Sequence, residues 1–221
     1  MSQVRTEVID CPMCQTKGEF QIWNSINVDL DPSLREKLFT EELFIWECPQ
    51  CHTKVYVPFG FIYHDMTRKF MLFYSPEECG DKYEPLEKPD FLQQDEYTYR
   101  AVYGIVALKE KIRILESGLN DIAIERLKYV LTHFKVKEFI ENQSEILFAE
   151  CDTNDRELSE YGHISFFFKN QDDELMVGKY RMELYYESDL AVSIDARMSP
   201  GQNPCIDQEW MELQFKKSKY V

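Results

Sequence analysis

Two different apolar periods run along this chain. Ile105, Leu108, Ile112, Leu115 and Leu119 recur at spacings of three and four, the repeat of a single helix face. The spacing predicts a helix from about Glu96 to Ser117, stopped by Gly118, which tolerates the left-handed backbone of a helix end. Asn120 or Asp121 then caps a second helix, with Ala123, Leu127, Val130, Leu131 and Phe134 facing inward. The connection is short, so the pair is expected to form an antiparallel hairpin whose stripe packs a core. From Ser144 onward the period is two. Tyr180, Met182, Leu184 and Tyr186 alternate with Lys179, Arg181 and Glu183; Leu190, Val192 and Ile194 alternate likewise, as do Met211, Leu213 and Phe215. "NQDDE" and "SPGQNP" supply turns, and the expectation is an antiparallel β-meander with one solvated face.

The N-terminal third mixes both patterns. "FQIWNSINVDL" (Phe20–Leu30) is rich in β-branched and aromatic residues and reads as a strand. In "DPSLREKLFTEEL", Asp31 suits an N-cap, Pro32 a first helical position, and Leu34 and Leu38 share one face. "LFIWE" and "KVYVPFGFIYHD" then read as strands on either side of a cysteine-bearing turn. The fold class expected is α+β: a zinc-ribbon-like region with a short helix over 1–76, a linker or surface loop over 77–96, a helical hairpin over 97–140 and an antiparallel β region over 141–221.

Composition narrows the function classes. The 221 residues carry a net charge of −15, and acid outnumbers base in each third of the chain. No segment offers the basic footprint with which a protein grips a phosphate backbone, so no nucleic acid is expected as partner. The first ten residues hold no apolar run and no stretch approaches the roughly 20 apolar residues of a membrane span, so a cytoplasmic protein without membrane contact is expected.

Four of the seven cysteines stand in two short turns, "CPMC" at Cys11–Cys14 and "CPQC" at Cys48–Cys51. Each Cys-x-x-Cys turn supplies two thiolates, and proline after the first cysteine stiffens it. Two such turns at strand ends close a tetrahedron of soft ligands, which makes Cys11, Cys14, Cys48 and Cys51 the candidate metal ligands. A thioredoxin-like redox centre wants one motif followed by a helix, and neither turn has that. A disulfide pair conflicts with a reducing compartment. Zn2+ is the expected metal on ligand softness, with iron left open by spacing alone. A four-thiolate site leaves no open position and is therefore structural. Gln15 and His52 stand where ribbons often carry glycine; histidine tolerates a left-handed turn, and the sharper alternative for His52 is a spare ligand. Cys79, Cys151 and Cys205 read as small apolar residues or free thiols.

"CPMC", "NSINVDLDPSLREKLFTEELFIWECPQC", "FIYHDMTRKFMLFYSP" and "LKEKIRILESGLNDIAIERLK" together resemble the CpXC family of prokaryotic proteins. The resemblance covers roughly residues 8–135. It implies zinc binding at the paired Cys-Pro-x-Cys motifs and a bacterial cytoplasmic setting, and supplies no reaction.

No Gly-rich phosphate loop, Gly-x-Ser-x-Gly or His-Glu-x-x-His motif occurs. His64 beside Asp65 is the one general acid–base candidate, yet adjacent strand residues point to opposite faces. Whether the protein is an enzyme stays open, leaning no, with no catalytic or cofactor-binding residue assigned beyond the metal set. The reading is a zinc-binding, intracellular protein-binding or adaptor module that takes a protein partner or self-associates. The alternative is an enzyme with a site near His64 at the junction of the N- and C-terminal regions. A zinc-ribbon nucleic-acid binder comes third.

Overall fold

Alternating burial along Lys17–Asn27, with Phe20 and Ile22 inside and Glu19 and Gln21 outside, marks a strand with one covered face. The computed structural model describes residues 2–78, 82, 97–137, 139, 145–155, 157–170, 172–198 and 204–217. Among these the chain divides into two units, the first ending at Leu108 and the second beginning at Lys109. Of the linker expected over 77–96, residues 79–81 and 83–96 lie outside the described ones, as do Cys79, Ser144 and most of "SPGQNP".

The first unit holds β1 (Gln3–Asp10), β2 (Lys17–Asn27), α1 (Ser33–Phe39), a 3-10 turn at Glu42–Phe44, β3 (Ile45–Glu47), β4 (Lys54–Tyr56), β5 (Phe61–Asp65), β6 (Phe70–Ser75) and β7 (Thr98–Tyr103). Among the described residues five strands make one sheet in the order β1-β2-β5-β6-β7, and β3 pairs only with β4. β2 and β5 run parallel, so the chain between them is a crossover rather than a hairpin loop. That crossover carries α1 and the β3–β4 hairpin. In α1, Leu34 and Leu38 are buried as their spacing predicts, but Pro32 rather than Asp31 holds the cap position, without a side-chain bond. The core is aromatic: Phe44 lies 5.1 Å from Phe59, and Phe61 lies 5.0 Å from Tyr74.

The helix expected from Glu96 begins only at Ile105. Thr98–Tyr103 instead pairs parallel with β6, Gly104 turns the corner at φ 83°, and α2 runs Ile105–Glu116. The apolar stripe itself starts only at Ile105, and the segment before it takes its ladder bonds from β6. Gly118 stops α2 at φ 70°, and the Asn120 side chain accepts from Ile122 N at the start of α3 (Asp121–Val130).

In the second unit β8 (Ile146–Asp152), β9 (His163–Lys169) and β10 (Leu175–Arg181) form an antiparallel sheet in sequential order. Leu127, Leu131, Ile146, Phe148, Ile164 and Phe166 pack its core. The strands expected beyond Arg181 are helices: α4 (Glu183–Ile194) and α5 (Gln208–Lys217). A 3.6 period lay beneath the apparent alternation. Met182, Tyr185 and Ser188 are buried in and before α4, and Trp210, Met211 and Gln214 in α5, whereas Leu190, Ile194 and Leu213 are exposed. Phe134, expected inside, is 65% exposed, because a π-type turn at Leu131–Lys135 ends the α-helical repeat.

Charged groups also enter this unit's interior. Lys128 Nζ lies 3.0 Å from Glu110 Oε1 and 3.1 Å from Glu125 Oε2; Lys111 Nζ lies 3.1 Å from Asp121 Oδ2 and donates to Ile206 O at 2.7 Å. All five charged side chains are buried. Glu110 Oε1 also accepts from Phe148 N at 2.6 Å.

Candidate metal centre

Both cysteine turns close hairpins. Cys11–Cys14 joins β1 to β2, and Cys48–Cys51 joins β3 to β4. The two turns repeat the same bonds. Cys11 N donates to Thr16 O (2.9 Å) and Gln15 N to Cys11 O (2.9 Å); Cys48 N donates to Thr53 O and His52 N to Cys48 O, each at 3.0 Å. The repeat in the sequence is thus Cys-Pro-x-Cys-x-Thr, longer than the cysteine spacing alone conveys, and the two threonines were the legible signal that sequence reasoning passed over.

What sets the two hairpins together is a close approach. Gly18 on β2 leaves no room for a side chain: a methyl there would stand 2.6 Å from Trp46 Cζ2 and 3.1 Å from Pro49 Cδ. Trp46 itself, on β3, donates Nε1–H to Glu19 O at 3.2 Å. The indole is therefore both buried and hydrogen-bonded, and it ties the second hairpin to the first.

The four sulfurs lie within 4.8 Å of one another, an arrangement that can hold a metal ion. Cys11 Sγ is 3.6 Å from Cys51 Sγ, and Cys14 Sγ is 3.6 Å from Cys48 Sγ. A tetrahedron with metal–sulfur bonds of about 2.3 Å has edges of about 3.8 Å, so the donor set has the size a divalent metal needs. Each contact joins a cysteine of one turn to a cysteine of the other. Cys11 and Cys48 are buried, Cys14 and Cys51 exposed.

Local bonds bias the thiols differently. Thr53, whose Oγ1 lies 3.2 Å from Cys51 Sγ, lowers that thiol to about 6. Thr16 lowers Cys14 in the same way, while burial pushes Cys11 up to about 11. Hydrogen bonds that favour thiolate favour the ligand form.

His52 stands outside the four-sulfur group. Its φ of 58° makes it the left-handed residue of the turn, and its exposed ring places Nδ1 3.0 Å from Glu47 Oε1. His64 and Asp65 diverge as strand alternation requires. His64 Nε2 lies 3.2 Å from Tyr97 OH, while Asp65 is fully buried and accepts from Arg68 N (2.7 Å) and Nη1 (2.8 Å). Asp65 therefore holds the β5–β6 turn and is not paired with the imidazole. His133 is exposed and stacks on Tyr129 at 4.0 Å, and His163 is buried with Nδ1 3.1 Å from Asp155 Oδ2. Cys151 and Cys205 form no disulfide among the described residues and lie apart from the four-cysteine group.

No helix among the described residues is long and apolar enough to cross a membrane. No curated protein and no solved structure matches the chain. The family model described as CpXC protein matches residues 9–128, more than half of the sequence and a span that contains both cysteine turns. Taken with the doubled Cys-Pro-x-Cys-x-Thr turn, that match assigns the chain to the CpXC protein family.

Proposed function

We propose that the four thiolates hold one Zn2+ as a closed structural site, and that the ribbon so formed is part of a protein-binding or adaptor module of the cytoplasm. The observation that carries the metal reading is the pair of 3.6 Å sulfur contacts, each bridging the two turns. Four soft donors around a divalent cation leave no position for water, so zinc here stabilises the fold and does not activate a substrate. The adaptor role is supported by that closure and by the placing of Asp65, which bonds Arg68 and not the His64 ring.

Native mass spectrometry of the full chain purified without added metal tests the site. The expected result is one zinc per chain and, after unfolding with the metal retained, three reactive cysteines of the seven. Iron in its place, no metal, or a mass lower by two or four protons overturns it. Cys48→Ser is expected to unfold the ribbon, because structural zinc contributes about 10–16 kcal/mol in small peptides. A cooperatively folded, metal-free Cys48→Ser chain contradicts that. Cross-linking and sedimentation read the adaptor role separately: a strictly monomeric chain with no stoichiometric companion overturns it and leaves the metal reading standing.

A further inference from the structure

The first strand reads Gln3-Val4-Arg5-Thr6-Glu7-Val8-Ile9-Asp10, and among the described residues β1 forms the end of its sheet, paired with β2 alone. Residues 3–8 are all exposed, Val4 at 46% and Val8 at 64%. An eight-residue edge of this kind offers a row of backbone donors and acceptors, which proteins usually blunt with lysine, proline or a covering element. Between Gln3 and Ile9 there is no lysine or proline and, among the described residues, no covering element; the charges are Arg5 and Glu7, which pair along the strand at 2.8 Å, and the one irregularity lies at its start, between Gln3 and Val4.

The sequence of the strand is complementary to itself. Laid antiparallel against a second copy with Thr6 facing Thr6, Arg5 meets Glu7 of the second copy and Val4 meets Val8 of the second copy, each twice. Opposite charges and β-branched pairs are the favourable cross-strand contacts. A one-residue displacement of the two-fold breaks both matches.

Backbone direction agrees with the same register. Cys11 N bonds Thr16 O, and the β1–β2 pairing runs without a shift from Asp10 to Val4. In an antiparallel ladder, residues alternate between bonding the partner strand and pointing away from it. Counting back from Cys11, the groups of Ile9, Glu7 and Arg5 point to β2, while those of Val8, Thr6 and Val4 point outward. A two-fold at Thr6 uses the outward set alone, with two bonds at each of the pairs Thr6–Thr6, Val4–Val8 and Val8–Val4.

We propose that the free edge of β1 is a homodimerisation strand, pairing antiparallel with β1 of a second copy about a two-fold at Thr6. This rests on the protein-binding reading above and names the partner as the chain itself. The interface is isologous and closes at two copies, and it joins the two five-stranded sheets edge to edge.

Sedimentation equilibrium of the full chain, with metal content measured alongside, tests it. The wild type is expected to dimerise below about 100 μM, within the range of specific association. Thr6→Pro removes an outward N–H without touching the β1–β2 ladder and is expected to weaken the dimer at least about tenfold. Arg5→Glu sets like charges opposite one another and weakens it comparably, and Arg5→Glu with Glu7→Arg restores it. Amide exchange supplies a readout on the wild type itself: protection of Val4, Thr6 and Val8 that rises with concentration supports the interface. A monomer at all concentrations, a dimer indifferent to these variants, or protection elsewhere overturns it. Zinc retained in such a monomer separates this failure from failure of the metal reading.

Discussion

Gln15 and His52 are the same residue of two copies of one turn. Each follows the second cysteine, each donates its amide to the carbonyl of the first, and each sits in the left-handed region, at φ 61° and 58°. A side chain there costs about 1–2 kcal/mol that glycine avoids. Gln15→Gly is therefore expected to stabilise the first unit by about 1 kcal/mol, after glycine's own entropy cost is subtracted, with metal content unchanged. Gln15→Val is expected to lower the unfolding midpoint. Thermal unfolding of the three zinc-loaded chains checks the order; a less stable glycine variant refutes the strain argument.

Gly18 makes a second prediction, opposite in sign. Its backbone is extended, so the constraint is space: Trp46 Cζ2 stands 2.6 Å from where a Cβ would go. Gly18→Ala is expected to cost about 1–3 kcal/mol, the range for overpacking. It is also expected to weaken the Trp46–Glu19 bond that ties the hairpins. Urea unfolding followed by tryptophan emission measures the first effect, and the rate of zinc loss to a chelator measures the second. Unchanged zinc loss would mean the turns hold the metal without help from that contact.

The clustering of Cys11, Cys14, Cys48 and Cys51 was legible because a Cys-x-x-Cys turn encodes its own geometry: once two are present, hairpin tips and a shared centre follow. The short helix α1 was legible for a similar reason, since Leu34 and Leu38 declare one face. Longer-range effects were not. Thr98–Tyr103 carries a local strand signal in Thr98, Tyr99, Val102 and Tyr103, but six residues are too few to set it against the helical stripe that follows; its partner Phe70–Ser75 makes the choice. In α4 the residues that alternate most visibly, Tyr186, Leu190 and Ile194, are the exposed ones, while burial follows Met182, Tyr185 and Ser188 at helical spacing. Apolar residues on the outer face of a helix mask the period that packing uses.

Asp29 gives a pH-dependent prediction. Its carboxylate accepts from the Thr67 hydroxyl and from Met66 N at 2.6 Å, clamping the β5–β6 turn, and the Thr67 bond is the main reason its pKa lies below the ordinary carboxylate value. A depressed folded pKa contributes stability that is present above the unfolded pKa and is lost as pH falls through the folded one. Asp29→Asn is therefore expected to be less stable than wild type at neutral pH, with the difference shrinking as the solution is acidified below about pH 4. Urea midpoints of both chains from pH 7 to pH 2 test it. A constant difference would show that geometry, not charge, is what Asp29 supplies.

The last prediction concerns the buried ions of the second unit, where Glu110, Asp121 and Glu125 share the two ammonium groups of Lys111 and Lys128. Glu110 has the additional Phe148 N–H, whereas Glu125 Oε2 has no geometrically sound hydrogen bond, and burial raises the pKa of Glu125. Lys128, held above its usual value by its carboxylate neighbours despite burial, stays charged. Removing it leaves acids buried and unpaired, so Lys128→Met is expected to cost about 3–5 kcal/mol. Glu125→Gln behaves differently. A raised folded pKa gives stability that is full below the unfolded value and lost as pH rises through the folded one. Wild type should therefore weaken relative to Glu125→Gln as pH rises from about 4 to 8, with the two chains within about 1 kcal/mol at the acid end. Unfolding free energies across that range decide it: a glutamine variant as damaged as Lys128→Met at every pH would make Glu125 an ionised partner of the lysines.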